Sequence, residues 1–376
     1  MAKQSETNPQ ISRQEKLNRI IKNSQVDAMV LNPGPSLVYM TGLHFHLSER
    51  PVVVIFLPGR DPIIILPELE LEKIKHLAYE IQAFSYGEDP GSWEAAFKRG
   101  SEAAELKGKL IGVEPRQLRF LEFELLSNAA PNTQFISSEE SLAKLRMYKD
   151  AVELAAMRTA TEIAQHALQN TISQVKIGIS ERELAAELTL QLFRAGCNPE
   201  IPFSPIVSGG PNSANPHATP SERKLEMGDL LVIDWGASHN GYFSDITRTF
   251  SIGEVEAEFE RIGQIVLAAN TAGREAARPG VTAQLVDQAA REVIKQAGYG
   301  KYFTHRLGHG LGMEGHEAPY IRDGNLMVLE PGMTFTIEPG IYLPCRNGVR
   351  IEDDVVITDT GMECLTSLPR EIEQLI

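Results

Sequence analysis

A chain of 376 residues is longer than one ordinary hydrophobic core accommodates, so two domains are expected. Its 42% hydrophobic and 23% charged content are those of a soluble globular protein, and a formal net charge of -14 argues against nucleic acid or an anionic membrane surface as partner. Cys197, Cys345 and Cys364 have neither disulfide parity nor metal-site spacing, which fits a reducing, cytoplasmic compartment; the polar start MAKQSETNPQISRQEK is no signal peptide, and no apolar run approaches the ~18 residues of a membrane span.

In chain order, the first ten or so residues are expected to be disordered. From about Arg13 to Ser138 helical and strand patterns alternate. Val26–Leu31, Pro51–Leu57 and Ile63–Leu66, rich in Val and Ile, read as short buried strands. Helical stretches are expected at Leu17–Asn23, Leu69–His76, Trp93–Gly100 and Leu118–Asn128. These make an α/β domain over residues 13–140, with no phosphate-cradling glycine loop and no nucleophile elbow. A second domain is expected over residues 144–376. It opens with a long amphipathic helix, Ala151–Gln174, and the next begins at Ser180, where Glu183 completes a capping box. Strand-like runs follow at Leu230–Ile233 and Tyr242–Phe250. The order then recurs, with helices at Val255–Ala277 and Thr282–Gln296 and strands at Met333–Ile337 and Val349–Thr358. This points to a duplicated architecture in which each half ends in strands carrying acids.

Those acids carry the chemistry. Asp234 ends the run Leu230–Ile233, and Asp245 follows eleven residues later. Glu338 ends Met333–Ile337, and Glu352 follows Val349-Arg350-Ile351. One such acid is ordinarily a solvated strand end. Four together are different, because a desolvated carboxylate either protonates or finds a cation. His309 lies among Gly308, Gly310 and Gly312, which let backbone approach closely. An oxygen-rich donor set with one imidazole suits Mn(II), Co(II) or Zn(II). Four carboxylates and a histidine exceed the needs of one tetrahedral zinc and suit two divalent ions, about 3.5–4 Å apart, sharing bridging carboxylates.

At these residues the sequence resembles the family of creatinase, aminopeptidase P, prolidase and methionine aminopeptidase. The matching motifs are Asp234-Trp235-Gly236, Tyr242-Phe243-Ser244-Asp245-Ile246-Thr247-Arg248, Gly308-His309-Gly310, Thr336-Ile337-Glu338-Pro339-Gly340 and Arg350-Ile351-Glu352-Asp353. They keep the family's order over about residues 144 to 365. The preceding domain is similar to the creatinase-type amino-terminal domain, notably at Tyr39-Met40-Thr41-Gly42. The resemblance implies an α/β amino-terminal domain followed by a catalytic domain of the "pita-bread" fold. It implies two divalent metals, Mn(II) first among the choices, with Asp234 on the first, His309 and Glu338 on the second, and Asp245 and Glu352 bridging. Glu338 would shuttle the proton, and His217 and His316 would hold substrate and stabilise the oxyanion. His305 and Arg350 would line a pocket for the proline ring. The expected partner is a peptide with proline at the second position, and the expected assembly is a homodimer. His44 and His46 are expected to be surface residues, with capping of a neighbour's site as the alternative.

Within the family, the large amino-terminal domain counts against a methionine aminopeptidase. Five intact ligands count against metal-free creatinase and against a non-catalytic binding module. Archaeal-type prolidases place an arginine four residues after the second histidine to grip the dipeptide carboxylate, and here Tyr320 stands in that place. The sequence therefore favours an Xaa-Pro aminopeptidase, with Xaa-Pro dipeptidase as the alternative if Arg350 or Arg346 supplies the charge.

Overall fold

Residues 9–376 are described by the computed structural model, so the expectation for residues 1–8 lies outside them; Pro9 and Gln10 already belong to the first helix. The chain divides into two compact units, one ending at Arg146 and the other running from Met147 to Ile376. The first unit comprises helix α1 (Pro9–Asn23), β1 (Ala28–Leu31), α2 (Pro35–Thr41), β2 (Val53–Phe56), β3 (Ile63–Pro67), β4 (Gln82–Tyr86), α3 (Trp93–Ala103), β5 (Leu110–Val113), α4 (Phe120–Ala129), β6 (Gln134–Ser137) and α5 (Glu139–Arg146). Its six strands form one mixed sheet in the order β4-β3-β2-β1-β5-β6. β1, β2 and β3 are buried along their whole length, which is why they read as continuous apolar runs. The expected helix Leu69–His76 is instead part of two short 3₁₀ turns, Glu68–Glu70 and Lys73–His76. None of their residues is buried, so no apolar face exists to hold an α-helix there.

The second unit opens with α6 (Ala151–Ile172) and α7 (Glu181–Arg194). Each starts in a complete capping box, Asp150 with Glu153 and Ser180 with Glu183. Then come β7 (Ile206–Gly209), β8 (Leu230–Trp235), β9 (Ser238–His239), β10 (Tyr242–Phe243) and β11 (Ile246–Ser251). The second half supplies α8 (Ala257–Ala276), α9 (Ala283–Gln296), β12 (Gly308–Gly310), β13 (Glu317–Ile321), β14 (Thr334–Ile337), β15 (Gly340–Tyr342), β16 (Gly348–Arg350), β17 (Asp353–Ile357), β18 (Met362–Cys364) and β19 (Glu373–Gln374). One sheet runs β19-β11-β8-β7 and the other β13-β12-β14-β17-β18, with β15 and β16 a separate hairpin. Leu168, Leu184, Leu188, Ile233 and Trp235 join α6, α7 and the first sheet in one core. Among the described residues no helix is long and apolar enough to cross a membrane.

Two runs expected as continuous strands are interrupted. Tyr242–Phe250 breaks at Ser244 and Asp245, and Val349–Thr358 breaks at Ile351 and Glu352. Glu338 likewise lies in the gap between β14 and β15. Three of the expected ligands thus sit where the ladder lapses, and the backbone there is held otherwise. Asp245 N donates to Asp354 Oδ2 (3.0 Å), Glu352 N to Thr247 O (3.1 Å) and Glu338 N to Leu307 O (2.8 Å).

Candidate active site

The two sheets bring the expected residues together. Single donor atoms of Asp245, His309 and Glu352 all lie within 4.8 Å of one another, and all three residues are buried. His309 Nε2 is 3.4 Å from Glu338 Oε1 and 3.7 Å from Asp245 Oδ2. Asp234 faces Thr247 across the β8–β11 ladder, and the Thr247 hydroxyl donates to Glu352 Oε2 at 2.6 Å. His309 can sit this deep because its neighbours are glycines. A Cβ on Gly308 would stand 1.9 Å from Thr336 O, and one on Gly310 would stand 2.3 Å from the Ala318 backbone.

The electrostatics of this cluster ask for a cation. Burial, then the charges of Glu352 and Asp234, raise the Asp245 carboxyl well above its usual range; burial, then Glu338 and Asp234, do the same for Glu352. Burial pushes Glu338 up to about 8 against the opposing pull of Arg350, with Asp234 adding to the rise. Burial, then His316, lowers His309 well below its usual value. Its Nδ1 lies 3.1 Å from the Gly310 carbonyl, so Nδ1–H donates there and the Nε2 lone pair faces the carboxylates. Oδ1 of Asp234 and of Asp245 are buried without a hydrogen-bond partner. Acceptors facing acceptors in a buried space is an arrangement that divalent cations satisfy, and the donor set fits them.

Around the acids runs a hydrogen-bond chain. Arg350, 3% exposed, gives Nη2 to Asp234 Oδ2 (2.7 Å), Nη1 to Tyr342 Oη (3.0 Å) and Pro216 O (3.2 Å), and Nε to Thr247 Oγ1 (3.0 Å). The structure thus places Arg350 against Asp234, Thr247 and Tyr342. A buried guanidinium beside a buried carboxylate holds its partner. His305 lies 2.9 Å from Tyr342 Oη through Nε2 and 2.8 Å from Arg306 O through Nδ1. Burial, with Arg350 adding charge, lowers its pKa to about 4, so the ring is neutral. Nδ1–H then donates to Arg306 O, and the Tyr342 hydroxyl donates to Nε2. The same ring stands 3.9 Å from Glu338 Oε2, beside the site.

His316 is exposed, with its ring 3.9 Å from that of His309, and burial of its inner side, then Arg306, lower it to about 4. His217 is also exposed, and its charge bears on both His305 and His316. Tyr320 packs against Arg306, whose guanidinium carbon is 4.8 Å from the ring centroid and whose Nη2 is 3.2 Å from His316 Nδ1. Arg346 is engaged by Glu256 and Glu258 at 2.7 and 2.6 Å. His44 and His46 are exposed residues of the first unit.

Sequence reasoning passed over Arg306, Tyr342 and Asp354. Arg306 stands three residues before His309, a spacing that on a strand puts the two on opposite faces and gave no signal. Asp354 lies behind Asp245, accepting its N–H, with its other oxygen unpartnered.

With that geometry established, comparison with known proteins adds its own result. Residues 155–359 match Metallopeptidase family M24, and residues 13–148 match the Creatinase/Prolidase N-terminal domain. The chain belongs to metallopeptidase family M24, with a creatinase-type amino-terminal domain ahead of a pita-bread catalytic domain. It is 36% identical over 362 residues to the Xaa-Pro dipeptidase of Pyrococcus furiosus, covering 96% of this chain and 99% of that one. The crystal structure of a dipeptidase from Mycobacterium ulcerans superposes with a TM-score of 0.90 at 32% identity, covering 98% of both chains. That of an X-Pro aminopeptidase from Thermotoga maritima does so at 0.83 and 33%, covering 96% of this chain and 99% of that one.

Proposed function

We propose that this metallopeptidase is an Xaa-Pro dipeptidase, and the observation that carries this reading is Arg306. A dipeptide's carboxylate lies just beyond the proline, and burying it without a cation costs several kcal/mol. Tyr320 cannot supply that charge, which is why the sequence pointed to an aminopeptidase. The charge comes from the loop ahead of β12. Arg306 lies over the Tyr320 ring, and no carboxylate of the described residues forms an ion pair with it. Arg350 and Arg346, the other two candidates, are engaged by acids. The aminopeptidase reading gives way accordingly, and the relatives named dipeptidases lend support.

Asp234, Asp245, His309, Glu338 and Glu352 would hold two divalent cations, with Mn(II), Co(II) and Zn(II) all suited to the donors. Such cations, when bound, acidify water and polarise the scissile carbonyl. Glu338 takes a proton and returns it to the leaving proline nitrogen. His217 and His316, both exposed, offer N–H groups to the substrate carbonyl as negative charge develops. Arg306 fixes the terminal carboxylate, and with it the register of the peptide bond.

The test compares Gly-Pro, Gly-Pro-amide and Gly-Pro-Ala with Mn(II) added. Gly-Pro should be cut with the highest kcat/KM. Arg306→Met should lower kcat/KM for Gly-Pro by about 10- to 100-fold, the size of a lost charge-assisted hydrogen bond, and leave Gly-Pro-amide nearly unchanged. A parent enzyme that prefers Gly-Pro-Ala would return the reading to an aminopeptidase.

A further inference from the structure

We propose that Asn270 is a positioning residue for the metal site: one side-chain amide on α8 ties together the two backbone segments that present Glu338 and Glu352. The proposal rests on the ligand roles given above for those two acids. Asn270 is fully buried, and its Nδ2 donates to Ile337 O at 3.1 Å and to Ile351 O at 3.4 Å. Those carbonyls belong to the residues immediately before Glu338 and Glu352. Both acids lie in a two-residue break of one antiparallel register, between the pairs Ile337↔Asp353 and Gly340↔Arg350, where Ile351 N donates to Pro339 O at a long 3.4 Å. The amide adds a side-chain tie inside that break, because its two N–H groups diverge toward two acceptors in one plane.

The Asn270 carbonyl is oriented in turn. Its Oδ1 accepts from Arg370 Nη1 at 2.8 Å, and the same nitrogen donates to Thr271 Oγ1 at 3.1 Å. The amide therefore cannot flip without losing three bonds. α8 is also seated close to these segments, since a Cβ on its Gly273 would stand 3.0 Å from Ile337 Cγ2. Chemistry restricts the residue at 270. Aspartate has the shape but no donor and would set oxygen against two carbonyl oxygens; leucine would leave both carbonyls buried and unpaired. Glutamine would carry the amide one methylene further, into carbonyls that are already in contact.

A purely structural asparagine would affect folding stability alone, whereas a positioning residue governs affinity for the cations. The experiment is therefore a calorimetric titration of chelator-stripped, full-length protein with Mn(II), beside the unfolding temperature of the same metal-free samples. Asn270→Asp should bind Mn(II) about 10- to 100-fold more weakly than the parent, the usual effect of disturbing the residues behind a ligand. Excess Mn(II) should then restore most of the turnover. Arg370→Met, at a half-buried position, keeps the amide but frees it to turn and should weaken binding by a smaller factor. Mn(II) affinity within about twofold of the parent in Asn270→Asp overturns the proposal. Should that variant fail to fold, parent-like affinity in Arg370→Met overturns it instead. A parent protein that takes up no Mn(II) would fail the ligand assignment itself, a result distinct from either.

Discussion

At Glu338 three neighbours meet: Thr336 Oγ1 at 3.3 Å, His309 Nε2 at 3.4 Å and His305 Nδ1 at 3.9 Å. Glutamine there keeps an oxygen and the shape of the side chain but removes the group that takes a proton. Glu338→Gln should retain most of its metal and lose turnover by roughly 10²–10⁴. Metal content and kcat measured on one preparation check this, and near-normal turnover would leave Glu338 as a ligand only. The acids and His309 were legible in the sequence because their chemistry demands particular residue types in particular places. Arg306 was not. What marks it out is that no acid of the described residues forms an ion pair with it, and an arginine's partner is fixed by folding rather than by spacing.

Elements carry the next level of control. The apolar runs around Asp245 and Glu352 continue through both sites, so the periodicity reads as one strand each where the fold makes two. The interruptions are imposed by what lies across from them, such as the isolated bridge between Thr247 and Glu352, and that information is not local. The capping boxes of α6 and α7, by contrast, are local, and the one at Ser180 was readable four residues at a time. α9 shows how a helix holds the loop that carries Arg306. Its Asp287, fully buried, accepts from Leu307 N at 3.0 Å and holds Arg291 through two bonds of 2.8 Å. Arg291 in turn donates to His305 O at 2.8 Å and Phe303 O at 3.2 Å. The segment bearing Arg306 is thereby clamped on both sides. Asp287→Asn should raise KM for Gly-Pro severalfold more than for Gly-Pro-amide, with Mn(II) content unchanged. Equal increases for the two substrates would confine Asp287 to general stability.

The whole molecule should register its buried acids in how stability depends on pH. Without cations the folded state holds Glu338 at about 8 and keeps Asp245 and Glu352 well above their usual range, against roughly 4 to 4.5 in an unfolded chain. A raised carboxyl pKa means the folded state binds protons more tightly. Its contribution is fully present below the unfolded value and disappears as pH rises through the folded one. His305, His309 and His316, all lowered in the folded state, act in the opposite sense up to about pH 6.5, so metal-free protein should lose thermal stability chiefly between about pH 6.5 and 8. Protein saturated with Mn(II) should not, because the cations bind the deprotonated acids and their stabilisation grows over the same interval. Scanning calorimetry at pH 5, 6, 7 and 8, with chelator and with Mn(II), checks both curves. A gap that stays constant across the series would mean these acids do not titrate in that range.

The split of the ligands between two sheets also has a meaning in time. Chains emerge and fold from the amino terminus. Asp234 and Asp245 are made well before the residues that complete them, and Arg350 follows Asp234 at a distance of 116 residues. A nascent chain that has reached α9 has both aspartates but neither the guanidinium that holds Asp234 nor the imidazole and glutamates that face Asp245. Its acids are still hydrated and too few to retain a cation with the finished geometry. Metal capture is thus a late event in the life of the chain, deferred until the second sheet has closed over the first.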